Sequence, residues 1–496
     1  MTVRIDRHDD LDLALYRRVA IGGEQVEVAE VLYEYVEERR AALLDLVADG
    51  ASVYGVTVGL GYLTDRQIGL EAQDALQRSL LLARASGFRP PLPADVVRGV
   101  LLLRLAGFLS GYAAVSSGLC RFLLDRLNDG WSPVVPAGPF GASGEIAPLG
   151  HLFQTFIGEG HVWEGDEVVS ASSALAQRGV APYEPLPKEG SALLNGAPFA
   201  TALGIHVADR FRGLLEQAHV DAALAIELVG ASTRPYSRRI GALSRNPMQQ
   251  RVHERLLELL AGGRAFEDKL QAPASFRVVP QVHGAVLDQL EVFEDRLEQA
   301  LGAVTDGPLI LPTDGSEPAG AYPSGAFHAA SLALALDSLA IGVAQITNLV
   351  EKRLHRLLDA RFSGLPEQLA VDPGTQAGVI SLHKAAVGLA VENRLLASPA
   401  SVHALDTSSG QEDVQAFELL AADKLGRALD NLELTLACEL VALRQGFYLR
   451  GDSPPQPLLA RALEKLAAEV PPVEKDRTLT HDVERVRELV RSGSLR

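Results

Sequence analysis

The sequence predicts a mainly helical protein, in which a long central helix bundle follows a smaller, mixed N-terminal domain. The hydrophobic content is 47% over 496 residues, which is enough for a large core. Long apolar runs dominate the second half of the chain, whereas the first part mixes β-branched runs with glycine-rich turns. We therefore predict an N-terminal domain over 1–195, a helix bundle over 196–450, and peripheral C-terminal helices over 451–496, where proline pairs interrupt the chain.

Four segments carry the helical signal. Residues 89–130 begin with prolines and end at an Asn-Asp-Gly stop signal. Residues 324–364 are apolar around most of the helix circumference, which is typical of a buried helix. Segments 278–304 and 409–446 show the same pattern. Together these helices would bury more surface than one subunit holds, so we expect an oligomer.

Charge and cysteine usage exclude several classes of protein. The formal net charge is −17 and the pI is about 5.2, which argues against a nucleic-acid partner. Every run of 18 apolar residues contains a charge, and the N-terminus lacks the apolar core of a secretory signal. The two cysteines, Cys120 and Cys438, are far apart in sequence. We expect a cytoplasmic protein without a membrane partner.

One motif, GASGEIAPLGH at 141–151, raises a chemical question. In a tight turn the backbone nitrogen of Gly144 can attack the carbonyl of Ala142, since glycine has no side chain to block the approach. Ser143 can then lose its hydroxyl as water, which leaves a 4-methylidene-imidazol-5-one electrophile made from the chain itself. The alternative is an ordinary turn, because these small residues are common in turns.

The surrounding blocks make the chain resemble the histidine and aromatic amino acid ammonia-lyase and aminomutase family. The triplet motif is similar to that family's Gly-Ala-Ser-Gly-Asp-Leu-Ala-Pro-Leu-Ala-His signature. The other matching blocks are YGVTVGLG at 54–61, ALLNG at 192–196, SFRVVPQVHG at 275–284, SGAFH at 324–328 and SSGQED at 408–413. Each block is weak alone, but several in the right order are specific. The resemblance implies an L-amino acid substrate, a homotetramer with active sites built from three subunits, and no external cofactor or metal.

The resemblance also implies roles for individual residues. Tyr54 matches the family's base, a role that requires surroundings favouring a phenolate; its alternative role is that of a core tyrosine. Gly61 belongs to a glycine-rich lid over the site. Arg277 matches the arginine that holds the substrate carboxylate with its bidentate fork, and the alternative is a surface ion pair.

Four more residues complete the implied site. Asn195 would hydrogen-bond the electrophile or the substrate, although it could instead be a helix N-cap. Glu412 would lie near the substrate amine, although it could instead charge the first turn of the following helix. Gln411 and Phe327 are expected beside the substrate, although an aromatic residue is more often plain core.

The chain departs from the family at two places. Counting back from Arg277, the family's tyrosine falls on Ala274, which has no hydroxyl to donate. The residue pair that faces the substrate side chain in the family is Ala83-Arg84 here. A small residue followed by a cation favours a polar or acidic side chain, with stacking of a ring on Arg84 or an ion pair elsewhere as the alternatives.

The residues leave three hypotheses open. The first is an ammonia-lyase, or a 2,3-aminomutase of the same family in a biosynthetic pathway, which the sequence does not separate. The second is a non-catalytic scaffold or binding relative, for which Ala274 is the main argument. The third keeps the electrophile but applies it to another elimination or addition reaction.

Overall fold

The computed structural model describes residues 2–263 and 271–496, and it is 60% helical, which confirms the mainly helical class. The α-helices are α1 Leu13–Tyr16, α2 Glu30–Ala48, α3 Leu70–Arg84, α4 Ala94–Leu109, α5 Ser117–Asn128, α6 Ile146–Phe153, α7 Ala171–Gln177, α8 Glu189–Leu193, α9 Pro198–Val229, α10 Arg238–Leu243, α11 Pro247–Leu259, α12 Ala274–Arg277, α13 Val279–Leu301, α14 Ala330–Leu357, α15 Ala360–Ser363, α16 Ile380–Leu396, α17 Glu418–Arg450, α18 Pro457–Glu469 and α19 Thr480–Arg491. The strands are β1 Thr2–Ile5, β2 Gln25–Val28, β3 His161–Glu164, β4 Glu167–Ser170, β5 Leu309–Leu311 and β6 Gly320–Tyr322.

The chain forms two compact units. Unit 1 comprises Met1–His206, Glu294–Leu334 and Ala400–Ala422, and unit 2 comprises Val207–Phe293, Ala335–Pro399 and Asp423–Arg496. The strands above all belong to unit 1, where they form three two-stranded sheets. The predicted boundaries near residues 195 and 450 stay predictions.

The three small sheets differ in direction. Strands β1 and β2 are parallel, with Thr2 opposite Gln25, and the connection between them includes the short helix α1 and a π-helical turn over Arg17–Ile21. Strands β3 and β4 are antiparallel, with His161 opposite Ser170. Strands β5 and β6 are also antiparallel. The short β-branched runs of the N-terminal part therefore form small, separate two-stranded sheets.

The apolar segments form the long helices that their periodicity predicts. Helix α14 has 28 residues, which corresponds to about 42 Å of axial length. It is long and apolar enough to span a membrane, but 61% of its most apolar stretch is buried, as in the core helix of a folded protein. Its residues Leu336, Leu339 and Val343 are fully buried at a helical spacing.

The segment over 89–130 forms two helices, α4 and α5, because the chain turns at Gly111. The backbone of Gly111 has a φ of +78°, which side-chain-bearing residues rarely adopt. A Cβ atom there would also lie only 2.5 Å from Cγ of Arg39. Helix α5 then restarts at Ser116, whose side chain accepts a hydrogen bond from the backbone N–H of Leu119.

Candidate active site

A cavity of about 500 Å³ opens in unit 1, a size that suits a small molecule. Seven stretches of chain line it. They are the loop after Tyr54, the end of α3, the triplet motif, the turn between α8 and α9, the loops on either side of β5 and β6, and the turn at 408–412. The cavity therefore brings together residues from most of the blocks predicted from the sequence.

Two residues of the triplet, Ser143 and Gly144, line this cavity. The backbone N–H of Ser143 donates to Oε2 of Glu412 at 2.9 Å, and the Ser143 hydroxyl donates to the carbonyl of Val414 at 2.9 Å. Gly144 has a φ of +89°, and a Cβ atom on it would lie 3.3 Å from the ring of Phe327. Gly144 thus has the left-handed backbone that glycine favours, and a hydrogen bond holds the Ser143 hydroxyl. Both features are compatible with cyclisation of the triplet.

The residue after the triplet, Glu145, anchors it to the start of a long helix. Its carboxylate accepts from the backbone N–H groups of Phe199 at 2.5 Å and Ala200 at 2.6 Å, in the first turn of α9. Such an N-terminus favours an anion. Burial first, and the neighbouring Glu418 second, nevertheless raise the pKa of Glu145 well above its usual range. Glu145 was not predicted as a site residue, although its place in the motif was a signal for it.

Tyr54 lies half-buried on the cavity with its phenol oxygen already engaged. The backbone N–H of Gly61 donates to that oxygen at 2.7 Å, and both residues line the cavity. This hydrogen bond holds the phenol oxygen at the cavity wall, where a bound small molecule would meet it.

Asn195 lies in the turn before α9, where the protein backbone uses both ends of its amide. Its Nδ2 donates to the carbonyl of Gly307 at 2.6 Å, and its Oδ1 accepts from the N–H of Gly196 at 3.1 Å. Neither bond caps α9, whose first-turn N–H groups at Phe199 and Ala200 donate to Glu145 instead.

The turn at 408–412 also lines the cavity. Besides Ser143, Glu412 accepts from the hydroxyls of Ser408 at 2.9 Å and Thr407 at 3.3 Å. Gln411 and Phe327 also line the cavity. Glu412 lies in the turn before α17 and not in its first turn, which begins at Glu418.

On α3, the residues that line the cavity are Leu80 and Arg84, one helical turn apart. Arg84 is half-buried, whereas Ala83 is exposed and lies outside the lining. Sequence reasoning missed Leu80, although a spacing of four residues along α3 was available as a signal.

Arg277 is the one predicted site residue that belongs to unit 2. It ends the short helix α12, and its Nε donates to the carbonyl of Ala272 at 2.7 Å. Ala274, at the position of the family's tyrosine, begins the same helix and is exposed. The structure therefore groups most of the other assigned residues around one cavity of unit 1, whereas Ala83, Ala142 and Arg277 are not among its lining residues.

Comparisons with known proteins agree on one family. Residues 11–470 match the family model described as aromatic amino acid lyase. Histidine ammonia-lyase from Gloeobacter violaceus is 37% identical over 484 residues, which is 96% of this chain and 93% of the relative. The ergothionase structure from Treponema denticola superposes with a TM-score of 0.94 at 25% identity and 99% coverage of both chains. Tyrosine aminomutase from Streptomyces globisporus superposes with a TM-score of 0.90 at 29% identity, covering 100% of this chain and 98% of its own.

Proposed function

We propose a reaction for this chain on the premise that it belongs to the histidine and aromatic amino acid ammonia-lyase and aminomutase family. The chain is thus an ammonia-lyase or aminomutase enzyme, and the scaffold hypothesis is set aside. The reaction we infer is elimination of ammonia from an L-amino acid, leaving an α,β-unsaturated acid. The observation that carries it is the meeting of Ser143 and Gly144 with Tyr54, Asn195 and Glu412 around one cavity.

The electrophile would be a 4-methylidene-imidazol-5-one formed from Ala142, Ser143 and Gly144, with no external cofactor. Such a group supplies an electron-poor carbon that makes the substrate's nitrogen a better leaving group. The left-handed Gly144 and the hydrogen bonds that hold Ser143 to Glu412 and Val414 support this assignment.

Tyr54 is the base in this proposal. It would take the proton from the β-carbon of the substrate, and the N–H of Gly61 would hold the phenol oxygen in position for this transfer. Since Gly61 lies in the loop that carries Tyr54 over the cavity, closure of this loop would exclude water from the reacting groups.

Arg277 would hold the substrate carboxylate from a second copy of the chain. Arg277 is not one of the residues that line the cavity in the described part of a single chain, which supports a site that is completed by another subunit. A guanidinium binds a carboxylate through two parallel hydrogen bonds. We therefore propose a homotetramer. The buried free thiols of Cys120 and Cys438 support a cytoplasmic location.

Arg84 would select the substrate side chain. It is the cation on the α3 wall of the cavity, where it favours a polar or acidic side chain. Because Ala274 supplies no hydroxyl, the hydrogen bonds to the electrophile or substrate would come from Asn195 and Glu412. A 2,3-aminomutase is the second candidate, supported by the similarity to a tyrosine aminomutase over the whole chain.

The intact mass of the purified protein tests the proposal first. Cyclisation makes the chain lighter than its sequence by the mass of two waters, and a Ser143→Ala variant is the matched control without that loss. A panel of amino acids with acidic, polar and aromatic side chains is then assayed for free ammonia and for β-amino acids. Ammonia release supports the lyase, and a β-amino acid supports the aminomutase. An unmodified mass in the wild-type protein contradicts the proposed function.

A further inference from the structure

We infer that Arg104, Lys188 and Asp306 form a buried ionic clamp that positions Asn195, and this inference rests on the proposed function. None of these three residues lines the main cavity. They lie directly behind the wall that carries Asn195, so they are positioning residues that act through its amide.

Asp306 is the centre of the clamp. Its Oδ2 accepts from Nη2 of Arg104 at 3.0 Å, and its Oδ1 accepts from Nζ of Lys188 at 3.1 Å. The side chains of Asp306 and Arg104 are each 4% exposed, and that of Lys188 is fully buried. Two cations thus share one carboxylate in the interior of unit 1.

The clamp reaches Asn195 along two routes. On one side, Oδ1 of Asp306 also accepts from the N–H of Gly307 at 2.7 Å, and the carbonyl of Gly307 accepts from Nδ2 of Asn195 at 2.6 Å. On the other side, Nη2 of Arg104 donates to the carbonyl of Ala192 at 2.6 Å. That same carbonyl accepts from the backbone N–H of Asn195 at 3.2 Å. Arg104 therefore bonds both to the segment of Ala192 and to Asp306, and the contact between these two segments fixes the position of the Asn195 amide.

The arrangement is costly for the fold, which argues that it has a use. Buried charges lose hydration that their pairing only partly returns, and an apolar replacement is often as stable. Lys188 also adopts a φ of +79°, which residues other than glycine rarely do. Costly conformations persist where the surrounding structure holds them in place, and they cluster at functional sites.

The clamp leaves one amide hydrogen of Asn195 for chemistry. An amide NH₂ has two N–H groups, and the carbonyl of Gly307 takes one of them. With the Oδ1 atom held by the N–H of Gly196, the amide has a single orientation. The second N–H would then point to a constant place in the cavity, where a preorganised donor lowers the barrier.

A double-mutant cycle tests this inference. Arg104→Lys is made in the wild-type protein and in Asn195→Ala, with Arg121→Lys in an exposed ion pair as the matched control. In the wild-type background we expect Arg104→Lys to lower kcat by about tenfold or more with little change in KM, as the loss of one aligned donor does. In the Asn195→Ala background the same change should alter kcat by less than about twofold. Equal losses in both backgrounds, or no loss in the wild type, would overturn the inference.

Two further readouts separate this inference from the proposed function. The intact mass of each variant reports cyclisation, and we expect Arg104→Lys to keep the loss of two waters; a variant that fails to cyclise would overturn the role through Asn195. The same cycle is also measured as urea unfolding midpoints, where the clamp requires non-additive shifts whether or not the protein is active. If Arg104→Lys does not fold, the double variant Lys188→Met/Asp306→Asn, which keeps the net charge of the cluster, replaces it in the cycle.

Discussion

Buried ion pairs occur in both units, but they differ in what they connect. In unit 1, the clamp of Arg104, Lys188 and Asp306 leads through hydrogen bonds to Asn195 on the cavity wall. In unit 2, Arg353 on α14 makes two bonds, of 2.9 and 2.8 Å, to Glu439 on α17, and both side chains are fully buried. The chemistry of the two groups is alike, so burial and pairing alone do not mark a functional site. A functional role is indicated instead by hydrogen bonds that link such a group to the cavity wall.

Among the effects that distinguish the two buried ionic groups, we expect the largest in unit 2, as a loss of stability. Arg353→Met leaves the buried carboxyl of Glu439 without its cation, near Asp221, and burial together with Glu439 already raises the pKa of Asp221 well above its usual range. We expect a loss of about 3–5 kcal/mol in the free energy of unfolding, as for other broken buried pairs. Chemical denaturation measures it. The double variant Arg353→Met/Glu439→Met should recover most of the loss, and failure to recover would mean that packing, not charge, is responsible.

The next effect is expected in unit 1, on activity and not on stability. Tyr54→Phe removes the oxygen that accepts from Gly61 but keeps the ring. We expect kcat/KM to fall about a hundredfold, equivalent to about 2.7 kcal/mol, because general base catalysis typically contributes at least that much. The thermal midpoint is measured alongside and should stay within a few degrees. An unchanged rate would remove Tyr54 from the mechanism.

A smaller effect concerns selectivity within the cavity. Arg84→Met keeps a long side chain on α3 but removes its charge. We expect kcat/KM to fall about tenfold, or about 1.4 kcal/mol, for a substrate with an acidic side chain, and to stay the same for a neutral one of similar size. Arg78→Met, in an exposed ion pair on the same helix, is the control. Equal losses for both substrates would show that Arg84 supports the fold and does not select the substrate side chain.

The smallest expected effect concerns the interior of unit 2, where the stability depends on pH. Burial first, then the nearby His219 and Arg353, lowers the pKa of His283 well below its usual range, so the ring is neutral in the folded protein. The unfolded chain takes up a proton near pH 6.5, so this stability is present above that pH and is lost as the pH falls below it. The loss amounts to at most about 1.4 kcal/mol per pH unit.

His283→Phe should therefore lose stability less steeply than the wild type when the pH falls from about 7.5 to 5.5. Both ring nitrogens of His283 lack a hydrogen-bond partner within the described part of the chain, so phenylalanine breaks no such bond. Unfolding midpoints at several pH values measure the difference. His481→Phe, at an exposed position, should keep the wild-type slope. Parallel slopes for His283→Phe and the wild type would show that His283 is not the titrating group.

The helical architecture and most of the candidate cavity could be predicted from the sequence. Apolar periodicity marked α13, α14 and α17, since burial of one face is a local property of the residues. The motif blocks marked Tyr54 and Glu412, which line the same cavity. Leu80 and Glu145 were not predicted as site residues. A helical spacing from Arg84 and a place in the triplet motif were signals for them, but such signals do not by themselves show that a residue faces a cavity.

The sequence by itself determined which residue types are present for chemistry and which segments are helical. The tertiary structure decided what those residues are bonded to. It holds Ser143 on Glu412, more than 250 positions further along the chain, and it holds Asn195 on Gly307 through the buried charges of Arg104, Lys188 and Asp306. The physical reason is that periodicity and motifs report local preferences, whereas hydrogen bonds and ion pairs between distant segments exist only after the chain has packed.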